Sequence, residues 1–144
     1  MTTLNQKWNG QYYNANHPDE TPFVSDGLRG CFEYRYLGIE EATNGAYGAH
    51  VLRAVPGIPR EDGWHYHELK FHMLYILQGW IKFEYEGQGV KILRKGSCSL
   101  QPPGIRHRAL GHSDDLEMLE ISSPAEIGTV QTPDFEQVVQ AYAG

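Results

Sequence analysis

From Cys31 to Ser122 the chain is cut by turn signals at strand-length intervals, roughly every 8–12 residues, and this rhythm constrains the fold more than any other feature. Phe32, Tyr34 and Tyr36 alternate with Glu33, Arg35 and Leu37, which is the period of a strand. Glu41-Ala42-Thr43-Asn44-Gly45 is a turn, with Asn-Gly its strongest signal. Tyr47–Val55 reads as a second strand, stopped by Pro56-Gly57 and Pro59, and Trp64–Glu68 as a third. His72–Leu77 and Trp80–Tyr85 flank Gln78-Gly79 and read as a hairpin. Val90–Leu93 and Ser97–Gln101 are short strands broken at Lys95-Gly96. Arg106–Leu110 and Leu116–Ser122 follow the tight turn Pro102-Pro103-Gly104. Only Phe135–Tyr142 looks helical, and Met1–Ser25 reads as an extended arm with one edge strand. Many short strands and one terminal helix predict an all-β sandwich or closed barrel.

A chain of 144 residues is one domain. Its 40% apolar and 21% charged content excludes a disordered polymer. Twelve Lys and Arg stand against eighteen Asp and Glu, a net charge of −6. Nucleic-acid binders carry a basic face, and Lys91, Arg94, Lys95, Arg106 and Arg108 make a thin one, so no nucleic-acid partner is expected. The longest apolar run, Met73–Leu77, falls far short of the ~20 residues of a spanning helix, so no membrane partner is expected. The first residues lack the apolar core of a secretory signal. Cys31 and Cys98 lie far apart and are expected as reduced, buried thiols of a cytoplasmic protein.

The histidines carry the chemistry. Of the seven, three fall in the run Gly63-Trp64-His65-Tyr66-His67-Glu68-Leu69-Lys70-Phe71-His72. His65 and His67 are i and i+2, so on a strand they leave the same face about 6.5–7 Å apart and can converge on one ion. A helical metalloprotease needs H-E-x-x-H; His67-Glu68 to His72 is one residue too long, and the aromatic neighbours disfavour a helix. His72 is an odd number of positions from His65. It joins the other two only if the chain bends or bulges between Glu68 and Phe71.

Here the sequence resembles the cupins. Their first motif reads as His65-x-His67, four residues, His72, six residues, Gly79. Their second reads as Gly96, five residues, Pro102-Pro103-Gly104, two residues, His107. The usual Glu of the first motif is replaced by His72, the Gly usually six residues before its first His is missing, and the Asn after the second motif's His is replaced by Gly111. The resemblance implies a cupin-type β-barrel (a jelly-roll, or double-stranded β-helix) with an N-terminal arm over residues 1–28, a barrel over 47–124 and a C-terminal tail, ending in a short helix, over 127–144.

It also implies that His65, His67, His72 and His107 hold one divalent transition metal, Fe, Zn, Ni, Mn or Cu. Imidazole suits such ions better than magnesium or calcium, and without the carboxylate the ion keeps its full charge and is the stronger Lewis acid. Gln101 and His50 are further pocket candidates. Gln101 sits where strands usually place an apolar residue, and either faces the site or meets solvent on an edge strand; His50 is either a pocket residue or a satisfied histidine elsewhere. The implied activity is that of a metal-dependent enzyme on a small enolisable or aromatic molecule, a dioxygenase or a polyketide-cyclase-like enzyme. The alternative is a non-catalytic small-molecule-binding cupin with a structural metal. A homodimer is expected from the resemblance and from Met73–Leu77, apolar on both faces. His17 and His112 are expected on the surface.

Overall fold

The computed structural model describes residues 6–25, 30–60 and 62–132. The helix expected over 135–142 lies outside them. A short ribbon comes first, β1 (Lys7–Trp8) with β2 (Gln11–Tyr12). β3 (Phe32–Tyr36) leads to a single helical turn, α1 (Ile39–Ala42), and then β4 (Gly48–Ala54). The remaining strands are β5 (His65–Glu68), β6 (Phe71–Gln78), β7 (Trp80–Tyr85), β8 (Gly89–Arg94), β9 (Cys98–Leu100), β10 (His107–His112), β11 (Glu117–Ser123) and β12 (Gly128–Gln131). They form two five-stranded antiparallel sheets, ordered β12-β5-β10-β7-β8 and β3-β4-β11-β6-β9.

The inner faces follow strand parity. Along β6 the buried residues are His72, Leu74 and Ile76; along β7 they are Ile81, Phe83 and Tyr85. With Phe32, Leu52, Ala109, Leu116 and Met118 they make one core between the sheets. Burying each large side chain contributes about 1.5–3 kcal/mol.

The hairpin expected at Gln78-Gly79 is a crossover. β6 pairs with β11 and β9, whereas β7 pairs with β10 and β8, so Gly79 carries the chain from one sheet to the other. Its φ is +71°, and a Cβ there would stand against Ser113 Oγ, 2.6 Å from Asp115 Oδ1 and 3.1 Å from Leu116 Cα. The turns between β8 and β9 and between β10 and β11 also change sheets; the hairpin is the one joining β7 to β8. Local turn chemistry is the same for a hairpin and a sandwich corner, which is why the two read alike in sequence.

Three other expectations are corrected. The turn at Glu41–Gly45 overlaps the end of α1, and the left-handed Asn44 and Gly45 follow it. Sequence pattern placed no strand after Ser122, yet β12 pairs along β5. Cys98 is exposed and Cys31 half-buried, both as free thiols, because Cys98 lies on the outer face of β9. The arm lies along β3: Val24 bridges Tyr34, and the Asn14 and Asn16 amides donate to the Leu37 carbonyl. No helix among the described residues is long and apolar enough to cross a membrane.

Candidate metal centre

Two strands and a sheet change assemble the histidines. His65 of β5 is directly opposite His107 of β10, and their ring centroids are 4.4 Å apart. His67, two residues along β5, brings its ring to 5.2 Å from His65 and 5.0 Å from His107. One ligand nitrogen from each of the three lies within 4.8 Å of the others. An ion at about 2.0–2.1 Å from each nitrogen needs them no more than about 4.2 Å apart, so small side-chain adjustments bring the three onto one ion.

The tautomers suit an ion. His65 Nδ1–H donates to the Gly63 carbonyl at 2.8 Å, and His107 Nδ1–H donates to the Ile105 carbonyl at 3.1 Å. A carbonyl only accepts, so the proton of each neutral ring is on Nδ1 and the lone pair is on Nε2. His67 Nδ1 lies 3.0 Å from Thr129 Oγ1, on β12, so the strand that sequence pattern missed orients a candidate ligand. Burial, then the neighbouring imidazoles, push His67 down to about 4 and His107 down to about 3. His67 and His107 are therefore neutral imidazoles at neutral pH, donors that fit a borderline transition metal.

His72 is turned inward and buried, as a ligand would be. The parity problem disappears because the chain changes sheets between β5 and β6. Its ring stands edge-on to His67 at 5.1 Å. Both of its nitrogens have protein partners: the Gln101 amide donates to Nδ1 at 3.1 Å, and Nε2–H donates to Glu120 Oε2 at 2.6 Å. Gln101 faces inward and is buried; its Oε1 accepts from the Tyr85 hydroxyl at 2.7 Å. Burial pushes the Tyr85 phenol up to about 12, so it stays a donor.

Glu120 is the residue that sequence reasoning missed. It lies on β11 between His72 and His50, whose Nε2–H donates to Oε1 at 2.6 Å. Burial pushes the carboxyl up, but the hydrogen bonds and charges of the two histidines outweigh it and hold the group well below the usual carboxylate range. The signal was parity: Glu120 shares the inward face of β11 with Met118 and Ser122. His50 and Glu120 line a cleft of about 380 Å³ together with His67, Arg60, Tyr34 and Tyr36. His112, expected on the surface, is half-buried and accepts the Arg60 backbone N–H at Nε2.

Residues 55–122 match the family model described as Cupin domain. That stretch of 68 residues holds all three histidines of the cluster. The structure is similar to that of KdgF from Halomonas sp. (20% identity over 79% of this chain and 95% of that one, TM-score 0.60). It is also similar to the polyketide cyclase RemF from Streptomyces resistomycificus (17% identity, 85% and 88%, TM-score 0.63). A third relative is a cupin-superfamily sugar phosphate isomerase from Silicibacter pomeroyi (16%, 81% and 80%, TM-score 0.63). At these identities the likeness is one of fold. No curated protein matches the sequence.

The depressed histidines make the metal-free protein acid-sensitive. Their folded values lie below the ordinary 6.5, so protons favour the unfolded chain. The stability they contribute is complete above about pH 6.5 and is lost as the pH falls through about 4 and 3. After chelation, the urea midpoint should fall between pH 7.5 and 4.5, and fall less in His107→Gln. An equal drop in both proteins would contradict this assignment.

Proposed function

We propose that this cupin domain is a metal-dependent enzyme that removes or relocates a proton next to a carbonyl or phenol of a small organic molecule. The observation that carries the reading is the cleft: His67 of the imidazole cluster and the His50–Glu120 pair line the same walls. His65, His67 and His107 would hold the ion. His72 would be the fourth ligand, its ring turning from Glu120 toward the cluster beside His67. When bound, the metal supplies a Lewis acid for a substrate oxygen or, if redox-active, a centre for oxygen chemistry. The chain's own residues handle the proton. His50 stands at the cleft wall, and Glu120 orients its ring by accepting from Nε2–H, which leaves the other ring nitrogen to take a proton from carbon or return one. Tyr34 and Tyr36 lie with their rings 5.7 Å and 5.9 Å from His50, an aromatic wall for a flat substrate.

Oxygenation, cyclisation and isomerisation of such molecules share this proton step, and RemF and the sugar phosphate isomerase are relatives by fold whose names fit it. The test is deuterium exchange at the central carbon of 1,3-dicarbonyl compounds, followed by NMR in heavy water, beside oxygen uptake. Metal-loaded protein should accelerate exchange, and His50→Phe should cut that acceleration about a hundredfold, the low end for a general base. Exchange no faster than with the free metal would overturn the reading and leave a binding domain with a structural ion.

The partner we propose is a second copy of this chain. The outer face of β6 exposes Phe71, Tyr75 and Leu77, with Leu100 of β9 beside Met73 and Leu119 beside Tyr75. Exposed apolar residues clustered on one sheet face favour association. Sedimentation should give a dimer that Tyr75→Glu converts to monomer; a monomeric wild-type protein would refute it.

A further inference from the structure

Arg60 is a charged side chain that the proton chemistry above does not use. It sits in the loop before β5, is 9% exposed, and lines the same cleft as His67, His50 and Glu120. A guanidinium buried to this degree needs a reason, because desolvating it is costly unless it is paired. Part of the reason is Asp62, whose Oδ2 accepts from both Nε and Nη2 of Arg60 at 2.9 Å. Asp62 in turn accepts the backbone N–H of Ala109, which ties the pair to β10. The guanidinium also lies 5.7 Å over the Phe32 ring and 5.6 Å over the Phe83 ring.

A guanidinium has five N–H donors in a planar fork. Among the described residues, the hydrogen bonds of Arg60 use Nε and Nη2 and go to one oxygen of Asp62. The rest of the fork is therefore available at a cleft wall. Asp62 and the two aromatic rings fix the plane of the group, so the fork is ordered before any ligand arrives. Planar, ordered guanidinium donors match a carboxylate better than they match a neutral carbonyl or a hydroxyl.

We infer that the substrate carries a carboxylate and that Arg60 receives it, fixing the molecule in the cleft with its reactive carbon toward His50. This inference rests on the proposed function for the reactive end, but the carboxylate contact needs no metal. A charge-assisted hydrogen bond of about 1.5–3 kcal/mol corresponds to roughly ten- to a hundredfold in affinity.

Acetoacetate and acetoacetamide are suited probes, equal in size and both enolisable but differing in charge, and benzoate with benzamide is a second pair. Calorimetry on the full chain, zinc-loaded and chelator-treated, should show each acid binding at least about tenfold tighter than its amide. In Arg60→Lys, which keeps the charge and loses the fork, the preference should shrink to about threefold or less, with circular dichroism and zinc content unchanged. In wild-type protein the guanidinium ¹⁵N resonance of Arg60 should shift with acetoacetate and not with acetoacetamide, which answers the question even if the variant fails to fold. Equal affinity for acid and amide in both pairs, or a preference undiminished in a folded Arg60→Lys, would overturn the inference. Zinc content is read on the same samples: a chain that binds no zinc sinks the metal reading, while the acid–amide preference of the chelated protein still decides the role of Arg60.

Discussion

His107→Ala is expected to weaken zinc binding by at least about a hundredfold while leaving a folded β protein. Even residues that only orient a metal ligand typically cost 10–100-fold when changed, and His107 is placed to be a ligand itself. It stands opposite His65 across the β5–β10 pair and within ligand distance of both other rings. Removing it takes away the ring that faces His65 and His67 across the strand pair, so the two imidazoles that remain on β5 hold an ion from one side only. The core loses the contacts of the His107 ring with Phe83 and Tyr85, but the twelve-residue apolar cluster remains. Competition with a chromophoric chelator measures the affinity, and circular dichroism checks the fold. His65→Ala should behave the same way. His72→Ala separates a four-histidine site from a three-histidine one: a loss of similar size makes His72 a ligand, and an unchanged affinity leaves it as the partner of Glu120.

Gly79→Ala should cost about 2–5 kcal/mol of unfolding free energy, a large effect for one methyl group. Two terms add. A left-handed backbone costs an L-residue about 1–2 kcal/mol. The new Cβ would also meet Ser113, Asp115 and the Leu116 backbone, and forcing extra volume into a packed site costs about 1–3 kcal/mol. Gly96→Ala is the internal control, because Gly96 has a φ of +90° at another sheet crossover with nothing within 4 Å of its would-be Cβ. It should show the backbone term alone. Urea unfolding of the two variants gives the difference; equal costs would mean that the corner at Gly79 yields and that its packing does not matter.

The β-rich fold was legible because strands of period two and strong turn residues mark their own boundaries. The partition into two sheets was not, since a turn such as Gln78-Gly79 looks the same whether its flanking strands pair with each other or with β11 and β10. His65 and His67 were legible from H-x-H, because strand parity puts them on one face, whereas His107 was reached through the resemblance to the cupin motifs and owes its place to one cross-strand register. His72 needed the sheet change between β5 and β6, which no local pattern encodes. Glu120 is one of two glutamates in β11, and only its inward parity with Met118 and Ser122 sets it apart. Arg60 lies among Pro56, Gly57 and Pro59, in a segment with no period to read, and its burial depends on Asp62, Phe32 and Phe83 from elsewhere in the fold. Thr129 came from β12, too short and too polar to announce itself.

The central claim is that imidazoles from β5 and β10 meet on one ion. X-ray absorption at the zinc edge, on full-length protein loaded with one equivalent of zinc, tests it most directly. The account predicts a first shell of light atoms at about 2.0–2.1 Å and the outer-shell scattering of at least three imidazole rings. A sulfur shell near 2.3 Å, or scattering from fewer than two rings, would contradict it.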